Sequence, residues 1–442
     1  MDLLRGTPYV AYAYGYPHKT AYRPLTPPRR LADVWAEEPR ESLFLYLHVP
    51  FCEQRCGFCN LFTITGAGPD RHELYLDALD RQAEAVRAAL EASPGTVGFS
   101  RLAIGGGTPT VLSAGELRRL LGIVAAMGCD PCQAPGSVEA SPATVDAEKL
   151  SLLRDAGFER LSLGIQAFEE STCKSLGRTQ SRAEVERAIG MIRDVGFPIL
   201  NLDLIYGGEG QSLDGWTATV REALAHRPEE IYLYPLYIRP LTGLSRLHHS
   251  WDDQRLDAYR AGRDLLLAAG YRQISMRMFS RGSDENPDAG PLYCCQQDGM
   301  VGLGCGARSY TRTLHYSTEW AVGRSGVREI LDDYIQRGHR DDHRFAAADY
   351  GFILGPDEQR RRFVLLSLLQ NTGLDLTGYR LRFGGEAMDD LPELADLAEL
   401  GLARRETERL VLTAAGLERS DAIGPWLSSR PVAALQESYA LR

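Results

Sequence analysis

Long hydrophobic runs are missing from this 442-residue chain. Nowhere do about 18 consecutive apolar residues occur, the least that spans a bilayer as a helix, so no membrane partner is expected. The opening stretch, "MDLLRGTPYVAYAYGYPHKTAYRPL", has no basic n-region leading into an apolar core. An export signal is therefore not expected either, and the chain reads as cytoplasmic. Lysine is scarce: it occurs only at Lys19, Lys149 and Lys174, the other basic residues are arginine, and the net charge is −10. Nothing draws the whole chain to nucleic acid or to anionic lipid. Repeats and low-complexity tracts are absent as well, which excludes solenoids and long disordered linkers. Cysteine occurs nine times. In a long chain with no export signal, that odd number argues for reduced thiols or a metal site and against a disulfide framework. With 44% hydrophobic and 24% charged residues, the composition suits a large core plus an accessory unit.

Between residues 43 and 241, short apolar runs alternate with helical patterns. The runs "LFLYLHVP", "RLAIGG", "GSVEASP", "RLSLGIQ", "ILNLDLIYG" and "IYLYPLY" are bounded by Gly or Pro and rich in β-branched or aromatic residues. Segments such as "AGELRRLLGIVAAMG" and "SRAEVERAIGMIRDVG" lie between them and end on glycine, as left-handed helix caps do. Six strands alternating with helices predict an α/β fold with a parallel sheet, closed or partly closed. From about residue 355 the pattern changes to helices with one strand-and-turn unit, "ETERLVLTAAG", in the order of a small helical domain with a winged hairpin. That segment has no lysine and carries the acidic run "EAMDDLPELADLAEL", so DNA binding is disfavoured. The expected organisation is an N-terminal strap over 1–42, a barrel and its extension over 43–310, a linker region over 311–354, and a C-terminal domain over 355–442.

The stretch "YLHVPFCEQRCGFCNLFT", residues 46–63, places Cys52, Cys56 and Cys59 in the loop leaving the first strand. Three thiolates do not close a tetrahedral zinc site without a fourth ligand, for which His48 or the pair Cys129 and Cys132 would have to serve. A [4Fe–4S] cluster held by three Cys instead keeps one iron free for a small chelating molecule. The aromatic Phe58 stands directly before the third thiol.

In this spacing and wording the sequence resembles the radical S-adenosylmethionine (SAM) superfamily, and within it the HemN-like group of oxygen-independent coproporphyrinogen III oxidases and HemW haem chaperones. The resemblance implies a partial (βα)6 TIM-like barrel with a C-terminal HemN-type helical and winged domain. It also implies a [4Fe–4S] cluster on Cys52, Cys56 and Cys59 and one or two molecules of SAM, which is cleaved reductively to a 5′-deoxyadenosyl radical. A flavodoxin- or ferredoxin-type electron donor is implied as a partner, together with a small-molecule substrate. Residue by residue, the family's SAM contacts fall on Tyr46 and Phe58, on Gly106, Gly107 and Thr108 of "GGGTPT", on Glu139 of "VEASP" and Gln166 of "SLGIQAF". They continue on Arg178 of "LGRTQS", Asp203 of "NLDLIYG" and Tyr237 of "LYPLYIRP". These positions lie near the C-terminal ends of successive strands, where a βα barrel builds its active site.

Three departures separate the chain from its relatives. The C-x-C that follows the third ligand in coproporphyrinogen oxidases is here Cys59-Asn60-Leu61-Phe62, and the H-N-x-x-Y-W element of the chaperone is replaced by a stretch containing Cys294 and Cys295. The turn after the fifth strand reads "IYGGEGQS". By analogy the expectation is a radical SAM enzyme that modifies a small organic molecule, with C-methylation as the specific guess. Oxidative decarboxylation and haem delivery are the alternatives. Tyr14, Tyr16, His18 and Lys19 are expected either as a lid touching substrate or SAM, or as part of a strap packed on the barrel bottom. Cys294, Cys295 and Cys305 are expected as plain buried thiols, with a radical-quenching thiol or an auxiliary metal ligand as the alternative.

Overall fold

The structure is a computed structural model that describes residues 2–13, 15–246, 253–281, 299–339 and 342–441. Tyr14, Cys294 and Cys295 lie outside the described residues. The six expected strands are Leu43–Val49, Phe99–Gly106, Gly136–Ala140, Phe158–Gln166, Ile199–Tyr206 and Glu230–Pro235, here called the first to sixth barrel strands. They are hydrogen-bonded in that order and all run parallel. Side chains alternate across a strand. Leu43, Leu45, Leu47 and Val49 of the first strand join the main core under the helices, whereas Phe44 and Tyr46 pack on the inner face with Ala103, Met300 and Tyr310.

Local chemistry ends the helices where the sequence predicts. Ser113 with Glu116 and Ser181 with Glu184 form capping boxes at the starts of Ala114–Ala126 and Arg182–Val195. Gly196 closes the latter helix in the left-handed region at φ 82°. The α/β expectation is met, and the barrel is open. Beyond the first strand the sheet continues through Met300–Leu303, which is parallel, then Arg308–Tyr310, Leu314–Ser317, Ala347–Ile353 and Arg23–Arg30, which are antiparallel. Beyond the sixth strand it ends in Met278–Ser280 and Arg272–Gln273. Among the described residues the sheet has thirteen strands and two separate edges.

This topology corrects one expectation. Residues 311–354 are not a linker, because they carry two strands of the main sheet and the helix Arg324–Gln336. Their hydrophobic pattern is legible, but their pairing with residues 23–30 is long-range. After residue 355, helices pack around the three-stranded sheet of Leu374–Asp375, Arg409–Leu412 and Ala403–Glu406, over a second core containing Val364, Leu368, Tyr379 and Leu397. Leu4, Tyr16 and Ala21 of the N-terminal segment are buried in that same core. The segment thus runs between the barrel and the C-terminal unit. No helix among the described residues is long and apolar enough to cross a membrane.

Candidate active site

The cysteine loop is tied down from both sides. Phe51–Cys52 pairs in parallel with Ile64–Thr65, Gly57 donates its N–H to Leu176 O at 3.0 Å, and Leu244 donates to Gly57 O at 2.8 Å. The three thiols are half-buried and free of disulfides. Each has a polar neighbour: Thr108 Oγ1 donates to Cys52 Sγ at 3.6 Å, Arg178 Nη1 donates to Cys56 Sγ at 3.4 Å, and Thr63 Oγ1 lies 3.8 Å from Cys59 Sγ. Burial pushes the Cys52 thiol up to about 12, and it also raises Cys56 against the opposing charge of Arg178. Thiolates here therefore require a bound cation to offset their lost hydration.

This donor set fits an iron–sulfur cluster and not a single zinc. No three His, Cys, Asp or Glu side chains among the described residues converge on one ion, and ligands to three separate irons have no need to. The alternative zinc ligands are otherwise engaged. His48 Nε2 lies 3.0 Å from Phe62 O and its Nδ1 3.1 Å from Tyr46 Oη. Cys129 is buried in the main core, and Cys132 Sγ lies 3.9 Å from Ala156 O.

The glycine turn after the second strand folds directly onto the cysteine loop. Gly107 donates to Val49 O and Thr108 to Phe51 O, both at 2.7 Å. Close approach is what demands glycine here. A Cβ at Gly106, where φ is +114°, would lie 2.5 Å from the His48 ring, and one at Gly107 would lie 2.4 Å from Phe51 O and 2.9 Å from Cys52 Sγ. Glu139, on the third strand, accepts from Gly106 N at 2.9 Å through Oε2. Its side chain is exposed to the barrel interior, yet the surrounding protein removes enough bulk water to push its carboxyl up to about 7. Asp203 on the fifth strand is raised for the same reason, although it accepts from Asn201 Nδ2 at 2.8 Å and Ser162 Oγ at 3.3 Å.

Gln166 ends the fourth strand in the left-handed region, at φ 64°, beyond a register shift after Gly164. Such a conformation costs of order 1–3 kcal/mol and tends to persist at functional positions. Arg178 is buried and donates to Gly164 O at 2.7 Å and Ser141 Oγ at 3.2 Å as well as to Cys56, so it braces the loop against the fourth strand. The structure thus brings Cys52, Cys56, Gly106, Gly107, Thr108, Glu139 and Arg178 together at the strand ends. Tyr46 lies deeper in the barrel, and Phe58 packs on Leu176, Ile205, Leu236 and Leu244. Tyr237 stands apart, its hydroxyl donating to Asp421 Oδ2 at 2.5 Å. Sequence reasoning missed Ser141, which links Arg178 to Glu53, and His48 as the residue that shapes the glycine turn. A buried polar residue inside "YLHVP" was the available signal for the latter.

Comparison with known proteins matches the chain along most of its length. Residues 46–223 match the family described as Radical SAM superfamily, and residues 354–418 match the HemN C-terminal domain. The chain is 30% identical over 397 residues to the oxygen-independent coproporphyrinogen III oxidase of Salmonella typhimurium, an alignment covering 86% of this chain and 84% of the relative. It is 29% identical over 386 residues to the heme chaperone HemW of Bacillus subtilis, covering 84% and 95%. The solved structure of the coproporphyrinogen III oxidase HemN of Escherichia coli superposes with a TM-score of 0.77 at 24% identity, covering 97% of this chain and 98% of that one.

Proposed function

Since the chain belongs to the HemN-like group of the radical SAM superfamily, whose cofactors are a [4Fe–4S] cluster and SAM, we propose that it modifies a small organic molecule in a reaction that opens with transfer of a hydrogen atom from the substrate to the 5′-deoxyadenosyl group at the mouth of its barrel. The observation that carries this reading is the joining of the three-thiol loop to the glycine turn by backbone hydrogen bonds, and of the glycine turn to Glu139 through its carboxylate, at the strand ends. When bound, the cluster supplies one electron that breaks SAM into methionine and a 5′-deoxyadenosyl radical.

The chain's own residues do the remaining work. Cys52, Cys56 and Cys59 hold three irons, and Arg178 and Thr108 donate hydrogen bonds that stabilise negative sulfur. Gly106 and Gly107 let backbone approach the cofactor, Glu139 takes the SAM ammonium, and Asp203 takes the ribose hydroxyls. Gln166 and Arg178 orient the rest of the molecule. When bound, the cluster would take its electron from a donor of flavodoxin or ferredoxin type. C-methylation, the specific expectation from the sequence, finds no support in these relatives, which are named as an oxidase and a chaperone.

Anaerobically reconstituted protein should carry about four irons and release 5′-deoxyadenosine from SAM under dithionite. Replacing Cys52, Cys56 or Cys59 by Ala should abolish that release, and Cys129→Ala should not. Coproporphyrinogen III is the first substrate to try, with loss of carboxyl groups followed by mass spectrometry. Stoichiometric haem binding without SAM turnover would mean a carrier and not an enzyme.

A further inference from the structure

Gln166 stands at the centre of a three-residue turn. Ala167 donates its N–H back to Ile165 O at 2.7 Å, across Gln166 at φ 64°. A turn of this length with a positive φ at its centre is the rare, strained hand. The same residues carry the register shift of the fourth strand, since Gly164 pairs with Asp203 but Gln166 with Leu204, two steps against one. A bulge of this kind re-aims the side chain beside it. Gln166 Nε2 lies 2.9 Å from where a Cβ at Gly164 would be, so the amide rests over the glycine.

One side chain grips that turn on both flanks. Gln180 Nε2 donates to Ile165 O at 2.8 Å and to Ala167 O at 3.2 Å, the carbonyls on either side of Gln166. Its Oε1 accepts from Arg178 Nε at 2.9 Å. The two ends of the amide are thereby told apart, because a guanidinium only donates and a carbonyl only accepts. Arg178 does not depend on this bond, since it also donates to Gly164 O, Ser141 Oγ and Cys56 Sγ. The arginine therefore orients the glutamine, and the glutamine holds the turn. Cys173 Sγ adds a weaker bond to Ala167 O at 3.3 Å. The backbone beneath the amide is fixed as well. Gln54 of the cysteine loop exchanges two hydrogen bonds with the Thr179 backbone, both at 3.0 Å, and Ser181 opens the capping box of Arg182–Val195.

We infer that Gln180 is a positioning residue for SAM: by clamping the carbonyls of Ile165 and Ala167 it keeps Gln166 in the conformation from which its side chain orients the bound molecule. The inference rests on the radical SAM reading and deepens it. A left-handed residue with a side chain persists only where its surroundings over-determine it, and two carbonyls held by one amide supply that constraint. Through Gln54 the clamp is joined to the cysteine loop, so the loop that carries the thiols and the turn that serves SAM are preformed together.

Calorimetric titration of SAM into the cluster-loaded protein without reductant tests this, beside amide hydrogen exchange at Ala167. Gln180→Met should weaken SAM binding about tenfold, the effect of one well-made hydrogen bond. It should also accelerate exchange at Ala167, with iron content unchanged. Gln180→Glu in its ionised form keeps an acceptor for Arg178 but sets oxygen against both carbonyls, so it should lose SAM affinity as the Met variant does. A double-mutant cycle separates positioning from a general structural role: with Gln166→Ala already in place, Gln180→Met should have almost no further effect on SAM affinity. Wild-type affinity in both Gln180 variants, or an equal further loss on top of Gln166→Ala, overturns the inference. Wild-type protein that binds no SAM sinks the radical SAM reading and this inference with it, whereas SAM binding that both Gln180 variants leave unchanged sinks only this one.

Discussion

At the scale of single residues, the two interior carboxylates set the pH behaviour. Glu139 keeps its proton up to about pH 7 because the barrel desolvates it, whereas in an unfolded chain a glutamate titrates near 4.3. Between those values the folded state binds more protons than the unfolded one, so this residue makes stability fall as pH rises from about 4.3 to about 7. Glu139→Gln should flatten that part of the apoprotein's melting curve against pH. SAM affinity should move the other way, tightening as pH rises through 7 and the carboxylate forms; a Gln variant with the same pH profile would remove Glu139 from the SAM site. Asp203 is anchored by Asn201 and Ser162. Its replacement by Ala should weaken SAM binding by about 1.5–3 kcal/mol if it accepts charge-strengthened hydrogen bonds from the ribose, and an unchanged affinity would make it structural.

At the scale of elements, the inner faces of the strands are tied by a polar network as well as by packing. Arg160 on the fourth strand donates to Glu230 Oε2 on the sixth at 2.7 Å and to Ser137 Oγ on the third at 2.9 Å, and both ionic partners are over nine-tenths buried. Removing one partner strands the other's charge in a place poor in water, so Arg160→Met should cost about 3–5 kcal/mol of unfolding free energy in a denaturant titration. The double variant Arg160→Met, Glu230→Met should recover much of that loss. A single variant as stable as wild type would show that water reaches the pair. The loops are joined more simply: the glycine turn and the cysteine loop share backbone hydrogen bonds, so a change in either reshapes both.

At the scale of the molecule, Asp421 fastens three parts of the chain. Fully buried in the C-terminal unit, it accepts from Ala13 N at 2.9 Å and Tyr237 Oη at 2.5 Å, pairs with the Arg277 guanidinium, and receives Ala11 N on its carbonyl at 3.1 Å. The C-terminal unit, the N-terminal segment and the loop after the sixth strand are therefore joined through one side chain and its carbonyl. Asp421→Ala leaves Arg277 buried and unpaired, a loss of about 3–5 kcal/mol, and takes away the acceptor of Ala13 N while keeping the carbonyl that accepts from Ala11 N. Amide hydrogen exchange at Ala13 should accelerate, and SAM cleavage should become uncoupled from product formation while cluster loading persists. Unchanged exchange at Ala13 would mean that other contacts hold the segment.

The amino-acid sequence by itself determined what depends on near neighbours. A strand's alternation, a helix cap and three thiols between Cys52 and Cys59 are short-range patterns, so the six barrel strands, the cysteine loop and the glycine turn are legible in the order of residues alone. The resemblance carried by those motifs extends the reading to Glu139, Gln166 and Asp203 at later strand ends. Tertiary structure alone decided what depends on distant chain segments. It placed residues 311–354 in the main sheet, turned Tyr237 towards a carboxylate 184 positions away, and set Lys19 over Trp320. The physical reason is that sheet pairing, buried ion pairs and cation–ring contacts join groups whose separation along the chain leaves no periodicity to read.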